Sequence, residues 1–227
     1  MSNQVTEITW GGEWIKSTRR SVRPTIETAV NMAVSGLDNI GVPICTPKRF
    51  HVRRAVRNFE DAGCSFGNGL IELYLSTEAV KRGKIPRMLG LLSVVSLHEM
   101  LHDERYNLFP RDDLVEFVAT EGIAHYGDTL FARSTLGRQK YHDSIMAARQ
   151  LITEAQLQAL RESLYEDNQV SDDNDAIFEL WFEKERAEVL HYPMGVLLGL
   201  RCVDYHISAG ATLPEMLHWS PEEVVAV

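Results

Sequence analysis

The amino-acid sequence predicts an α+β fold, a small N-terminal β-sheet followed by a mostly helical chain. Three observations carry this. Gly67-Asn68-Gly69 is a strong turn signal set between Cys64-Ser65-Phe66 and the apolar run Leu70 to Leu75. One helical stretch precedes that hairpin, and beyond Pro86 the apolar spacing is helical to the end. Strands are thus gathered in one part of the chain and helices in the other, as in α+β architectures.

Taken in order, residues 1–17 read as an irregular arm carrying Trp10 and Trp14. A helix is expected after Pro24, with Ile26, Val30, Ala33, Val34 and Leu37 on one face. It should stop near Gly41-Val42-Pro43. Arg49 to Val56 alternates loosely and reads as a strand. In the second hairpin strand Ile71, Leu73 and Leu75 share a face. Helices are expected near 87–104, 113–135, 138–166, 175–190 and 193–209, with a mobile loop at Glu166 to Asp175. A last short helix should open at Ser220-Pro221-Glu222-Glu223, where Ser caps, Pro fits the first turn and Glu closes a capping box. No domain boundary stands out. The reading is one domain over 1–227: arm and helix 1–48, sheet 49–76, metal-binding helices 87–135 and a helical part 138–227.

Bulk properties exclude several roles. A hydrophobic fraction of 44% over 227 residues can bury a core without disulfide staples. The net charge of -9 disfavours general nucleic-acid binding, which needs a basic footprint. Arg19, Arg20, Arg23 and Arg53, Arg54, Arg57 form two small basic groups, read as solvated faces. Three cysteines, Cys45, Cys64 and Cys202, show no Cys-x-x-Cys spacing and suggest a reducing compartment. The N-terminus lacks a signal-peptide run, and no apolar stretch is long enough to span a membrane. The expectation is a cytoplasmic protein with no membrane or nucleic-acid partner.

The chemistry centres on Val94-Val95-Ser96-Leu97-His98-Glu99-Met100-Leu101-His102. On a helix the two histidines of His-Glu-x-x-His lie one turn apart on one face. Both imidazoles can then reach one Zn²⁺ at about 2.0–2.1 Å, and Glu99 is carried beside it as a general base. A catalytic zinc needs a third protein ligand. The long His-Glu-x-x-His-x-x-Gly-x-x-His form is absent, since Arg105 and Leu108 occupy its Gly and His positions. Glu121, on the following helix, is favoured as the third ligand, and Gly122 beside it would let two helices approach closely. Glu116 competes, but Asp113-Leu114-Val115-Glu116 reads as a capping box. His125, one turn beyond Glu121, is either a pocket residue or a packed, hydrogen-bonded histidine. Candidates for an oxyanion-stabilising side chain are His191, Tyr192, Arg201, Tyr205 and His206, with Tyr192 preferred.

These residues resemble the gluzincin branch of zinc peptidases. More closely, the chain is similar to a bacterial family described as a predicted Zn-dependent protease of unknown function. The likeness runs through Gly69 to Ser76, Ser96 to Arg105, Thr120 to Tyr126, Tyr192 to Gly199 and Ser220 to Glu223, roughly residues 65–227. It implies a zincin-like fold, one zinc held by His98, His102 and Glu121, and Glu99 as general base; it supplies the chemistry but not the substrate, for which a peptide or protein is expected. It also implies a cleft whose edge strand, 69–76, could pair with an extended peptide. His125 stands where an acidic residue is expected, and the segment after His102 is more acidic than expected, as Asp103-Glu104.

Four functions compete. The first is a zinc peptidase, the second a non-peptidic hydrolase with the same site. A third is a catalytically idle metal-binding or regulatory protein of the same shape. The fourth is a di-iron carboxylate protein, because Glu-x-x-His occurs at Glu99–His102 and again at Glu215–His218. Against the last, Pro214 and Pro221 leave about two helical turns around the second copy.

Overall fold

The computed structural model describes residues 7–12, 14–44, 47–55, 62–67, 69–110, 113–136, 150, 152–169, 174–182 and 193–227. Its contacts divide the chain into two compact units, Met1–Glu104 and Arg105–Val227. The architecture is α+β, and among the described residues the strands fall in the first unit.

The first unit holds β1 (Glu7–Trp10), α1 (Lys16–Asn39), β2 (Arg49–Ala55), β3 (Ala62–Gly67), β4 (Leu70–Ser76), the short α2 (Thr77–Lys81), a 3₁₀ turn at Ile85–Met88 and most of α3 (Leu89–Leu108). The sheet order is β1-β2-β4-β3. β1, β2 and β4 run parallel, and β3 joins β4 antiparallel, pairing Cys64 with Leu73 and Phe66 with Ile71. The expected hairpin is therefore present, with Gly69 at φ +67 leading into β4. Phe50, Val52, Ile71, Leu73 and Leu75 are buried on one face, while Arg49 and Arg53 point out to solvent.

Two expectations for the N-terminal part are corrected. The arm is not irregular, because Glu7–Trp10 pairs with Arg49–Val52 as a parallel strand. Such pairing needs a crossover, which α1 supplies. Trp14 locks the arm by donating its indole N–H to the Val52 carbonyl at 3.0 Å. The helix also starts well before Pro24, at Lys16, and carries that proline inside it. Burial of Val22 and Ile26 on either side outweighs one lost backbone hydrogen bond. Its end is as expected. The Val42 N–H returns to the Leu37 carbonyl and the Gly41 N–H to that of Asp38, with Gly41 at φ 80.

The strand 69–76 is not a sheet edge. β4 is flanked by β2 and β3, so β1 and β3 hold the outer positions.

The second unit is helical: the end of α3, then α4 (Leu114–Leu136), α5 (Glu154–Gln169), α6 (Asn174–Phe182), α7 (Met194–Ser208), α8 (Leu213–Met216) and α9 (Pro221–Val225). α4 is its axis, buried through Val118, Ala119, Ile123, Ala124 and Phe131, and it packs chiefly on α7. A Cβ on Gly122 would lie 2.4 Å from the Gly199 carbonyl carbon, so α4 and α7 cross backbone to backbone. Gly122 thus serves contact with α7. The expected helix 138–166 is interrupted, since Ile152 and Thr153 are not helical. Thr153 and Gln156 cap the start of α5 reciprocally. Residues 166–169, expected in a loop, continue that helix, and residues 170–173 lie outside the described residues. Ser220 and Glu223 form the expected capping box of α9.

Candidate metal centre

In the first unit, α3 carries the His-Glu-x-x-His string. Leu92, Val94, Leu97, Met100 and Leu101 bury the helix and fix its rotation. His98 and His102 are half-buried neighbours, ring centroids 4.6 Å apart and tilted 39°. Glu99, between them in sequence, is 7% exposed.

The acidic pair after His102 is buried. Asp103 and Glu104 are each 5% exposed, and both carboxylates meet the buried ammonium of Lys48, Glu104 at 2.7 Å. The helix continues past them to Leu108. These charges therefore belong to a buried ionic centre of the first unit.

In the second unit, α4 presents Glu121, His125 and Asp128 at successive turns. The His125 Nε2 stands 3.4 Å from Glu121 Oε2, and its Nδ1 stands 3.8 Å from Asp128 Oδ2. Asp128 is 4% exposed. Each ring nitrogen of His125 thus faces a carboxylate. Asp128 was missed from sequence, although its place three residues after a candidate histidine was a usable signal.

Glu116 is committed elsewhere. Its carboxylate receives Arg105 Nε at 3.1 Å and Nη2 at 3.0 Å, and Thr120 donates to it at 2.7 Å. Asp113 caps the Glu116 N–H as the capping-box reading expects, but the Glu116 side chain does not close the box. Burial pushes its carboxyl above the ordinary value, and the Arg105 guanidinium pulls it partly back.

Tyr192 and His191 lie outside the described residues. The other oxyanion candidates serve local contacts in the second unit. Arg201 pairs with Glu154 and the Ile152 carbonyl. His206 Nε2 meets the Val224 carbonyl at 3.0 Å, its ring edge-on to Trp219 and Tyr205. Glu215 is likewise occupied, its carboxylate closing the Thr212 capping box of the four-residue α8. His218 lies beyond that helix, so the second Glu-x-x-His copy does not sit on a bundle helix. A cavity of about 430 Å³ in this unit, lined by Ile152, Leu160, Met194 and Leu197 with Gln156 and Ser163, includes none of the candidate ligands.

No helix among the described residues is long and apolar enough to cross a membrane. Comparison of the chain with models of known protein families, with functionally characterised proteins and with solved structures gives no match.

Proposed function

We propose that the chain is a zinc-dependent hydrolase of zincin-like fold, working in the cytoplasm on peptide bonds. His98, His102 and Glu121 are its metal ligands and Glu99 its general base. The observation that carries the reading is the pair of adjacent, half-buried imidazoles on α3 with a buried carboxylate between them in sequence. The donor chemistry fits, because two imidazoles and a carboxylate are a zinc set. On α4, Glu121 Oε2 and His125 Nε2 stand 3.4 Å apart, which puts a carboxylate and an imidazole donor side by side.

Zinc would supply Lewis acidity, polarising the scissile carbonyl and easing deprotonation of the attacking water. Glu99 accepts that proton and returns it to the leaving amine. An extended peptide would add to β3, which holds an outer position of the sheet, rather than to β4.

Elemental analysis of the protein purified without added metal tests the ligands. About one zinc per chain is expected, lost or strongly weakened in His98→Ala and Glu121→Ala. Glu99→Gln should keep the zinc and lose cleavage of a peptide library. A protein that takes up no zinc even when it is offered would end the proposal, and a Glu99→Gln variant as active as the parent would remove the general base.

A further inference from the structure

The geometry points to His125 as a metal ligand that acts together with Glu121, and to Asp128 as the residue that positions its ring. This rests on the metal-site reading above and deepens it.

The argument is contained in α4. Glu121, His125 and Asp128 are spaced i, i+4 and i+7, so they form one stripe along three turns. The two nitrogens of His125 face different carboxylates. Nε2 is 3.4 Å from Glu121 Oε2, longer than the usual hydrogen bond. Two donors bound tetrahedrally to one ion at about 2.0–2.1 Å stand about 3.3–3.4 Å apart, by the geometry of the tetrahedron. Glu121 and His125 therefore already have the separation of two ligands sharing an ion. On the far side of the ring, Nδ1 lies 3.8 Å from Asp128 Oδ2, and a small turn of either side chain, or one water, completes that contact. A carboxylate behind a ligating imidazole fixes its tautomer and makes the other nitrogen a better donor. Exposure follows the same order. The His125 side chain is 28% exposed and Glu121 14%, whereas Asp128 behind them is 5% exposed.

The donor set then becomes three imidazoles and one carboxylate. Four protein donors fill a tetrahedral ion, so an attacking water needs a fifth position. A plain i,i+4 ion pair between Glu121 and His125 would give the same contact in the metal-free chain, but it predicts no effect of residue 125 or 128 on metal affinity.

The test is metal binding by the full chain, read by competition with a chromophoric chelator and by the absorption of its Co²⁺ form. His125→Ala should weaken zinc binding by at least about 100-fold, and Asp128→Asn by about 10–100-fold. Each metal-free variant should keep the thermal midpoint of the unsubstituted protein. A His125→Cys variant makes the readout independent of folding losses. Its Co²⁺ form should gain a near-ultraviolet thiolate-to-cobalt band that the unsubstituted Co²⁺ protein lacks. Unchanged zinc affinity in His125→Ala, with binding still lost in His98→Ala and Glu121→Ala, would overturn this inference and leave the three-ligand site standing. So would bound Co²⁺ without the new band in His125→Cys. No metal uptake by the unsubstituted protein would overturn both readings together.

Discussion

Three consecutive residues of α3 belong to two different buried ionic centres. Asp103 and Glu104 meet Lys48 within the first unit, while Arg105 meets Glu116 within the second. The centres are built differently. Lys48 is a point charge between two carboxylates and lies 55 residues from Asp103. Arg105, fully buried, uses the planar fork of its guanidinium. Nε and Nη2 grip Glu116, while Nη1 donates to the carbonyls of Met216, Leu217 and Trp219, and the group stacks on Phe109 at 4.3 Å. The lysine centre neutralises side chains. The arginine centre also donates to backbone carbonyls at and just after the end of α8. Arginine is therefore the less replaceable of the two.

The largest effect should come from Arg105. Arg105→Met would strand Glu116 and take a donor from three backbone carbonyls at once, and should destabilise the protein by about 3–5 kcal/mol. Denaturant unfolding measures it. Arg105→Lys should recover little, because an ammonium cannot reproduce the fork. Near-complete recovery by lysine would erase the distinction drawn between the two centres.

Lys48→Met sharpens the comparison from the other side. It leaves two buried carboxylates side by side without their shared cation, so about 3 kcal/mol is expected. Lys48→Arg should be tolerated worse than a charge-conserving change usually is, because the larger fork must fit a site where lysine is already 2% exposed. A Lys48→Met loss exceeding that of Arg105→Met would invert the ranking.

Neither centre was legible in the sequence, for a common physical reason. Lys48 lies 55 residues from Asp103, and Arg105 meets carbonyls 111 or more residues away as well as Glu116 on the next helix, so no short-range spacing announces either centre. Local signals fared better. The Ser220 capping box, the glycine stop of α1 and the strands around Gly67-Asn68-Gly69 all rest on contacts within a few residues. The parallel pairing of Glu7–Trp10 with β2 is non-local, and the arm gave no turn signal to announce it. The break before α5 was legible yet missed, since Thr153-Glu154-Ala155-Gln156 is a capping-box string. For the candidate site, the spacing of His98 and His102 and of Glu121 and His125 already implied one helix face for each pair. Asp128 did not stand out because a single carboxylate in a helix is ordinary until its burial is known.

A smaller effect probes the apolar side of the second unit. A Cβ on Gly199 would sit 2.2 Å from the Val118 carbonyl oxygen and 2.9 Å from the Gly122 Cα. Backbone on both sides cannot yield as a flexible side chain would, so Gly199→Ala should cost about 1–3 kcal/mol despite alanine's better helix propensity. Thermal unfolding checks it. A stabilised Gly199→Ala variant would mean that α4 and α7 separate easily, and that Arg105 rather than helix contact dominates this unit.

The smallest effect decides which force governs the arginine centre. Burial raises the Glu116 carboxyl above its ordinary value, while Arg105 opposes the shift. A carboxyl raised on folding contributes stability that is fully present below its unfolded value and is lost as pH climbs through the folded value. Glu116→Gln removes this titration while keeping a neutral hydrogen-bonding group beside Arg105, as the protonated carboxyl does. The gap, parent minus variant, should therefore fall as pH rises across that window, because only the parent must ionise a buried carboxyl. Stability measured at several pH values from below the ordinary carboxylate range upward gives the sign. A gap that widens with pH would show that the guanidinium outweighs burial and holds Glu116 ionised, making the arginine centre a strong ion pair instead of a desolvated one partly compensated.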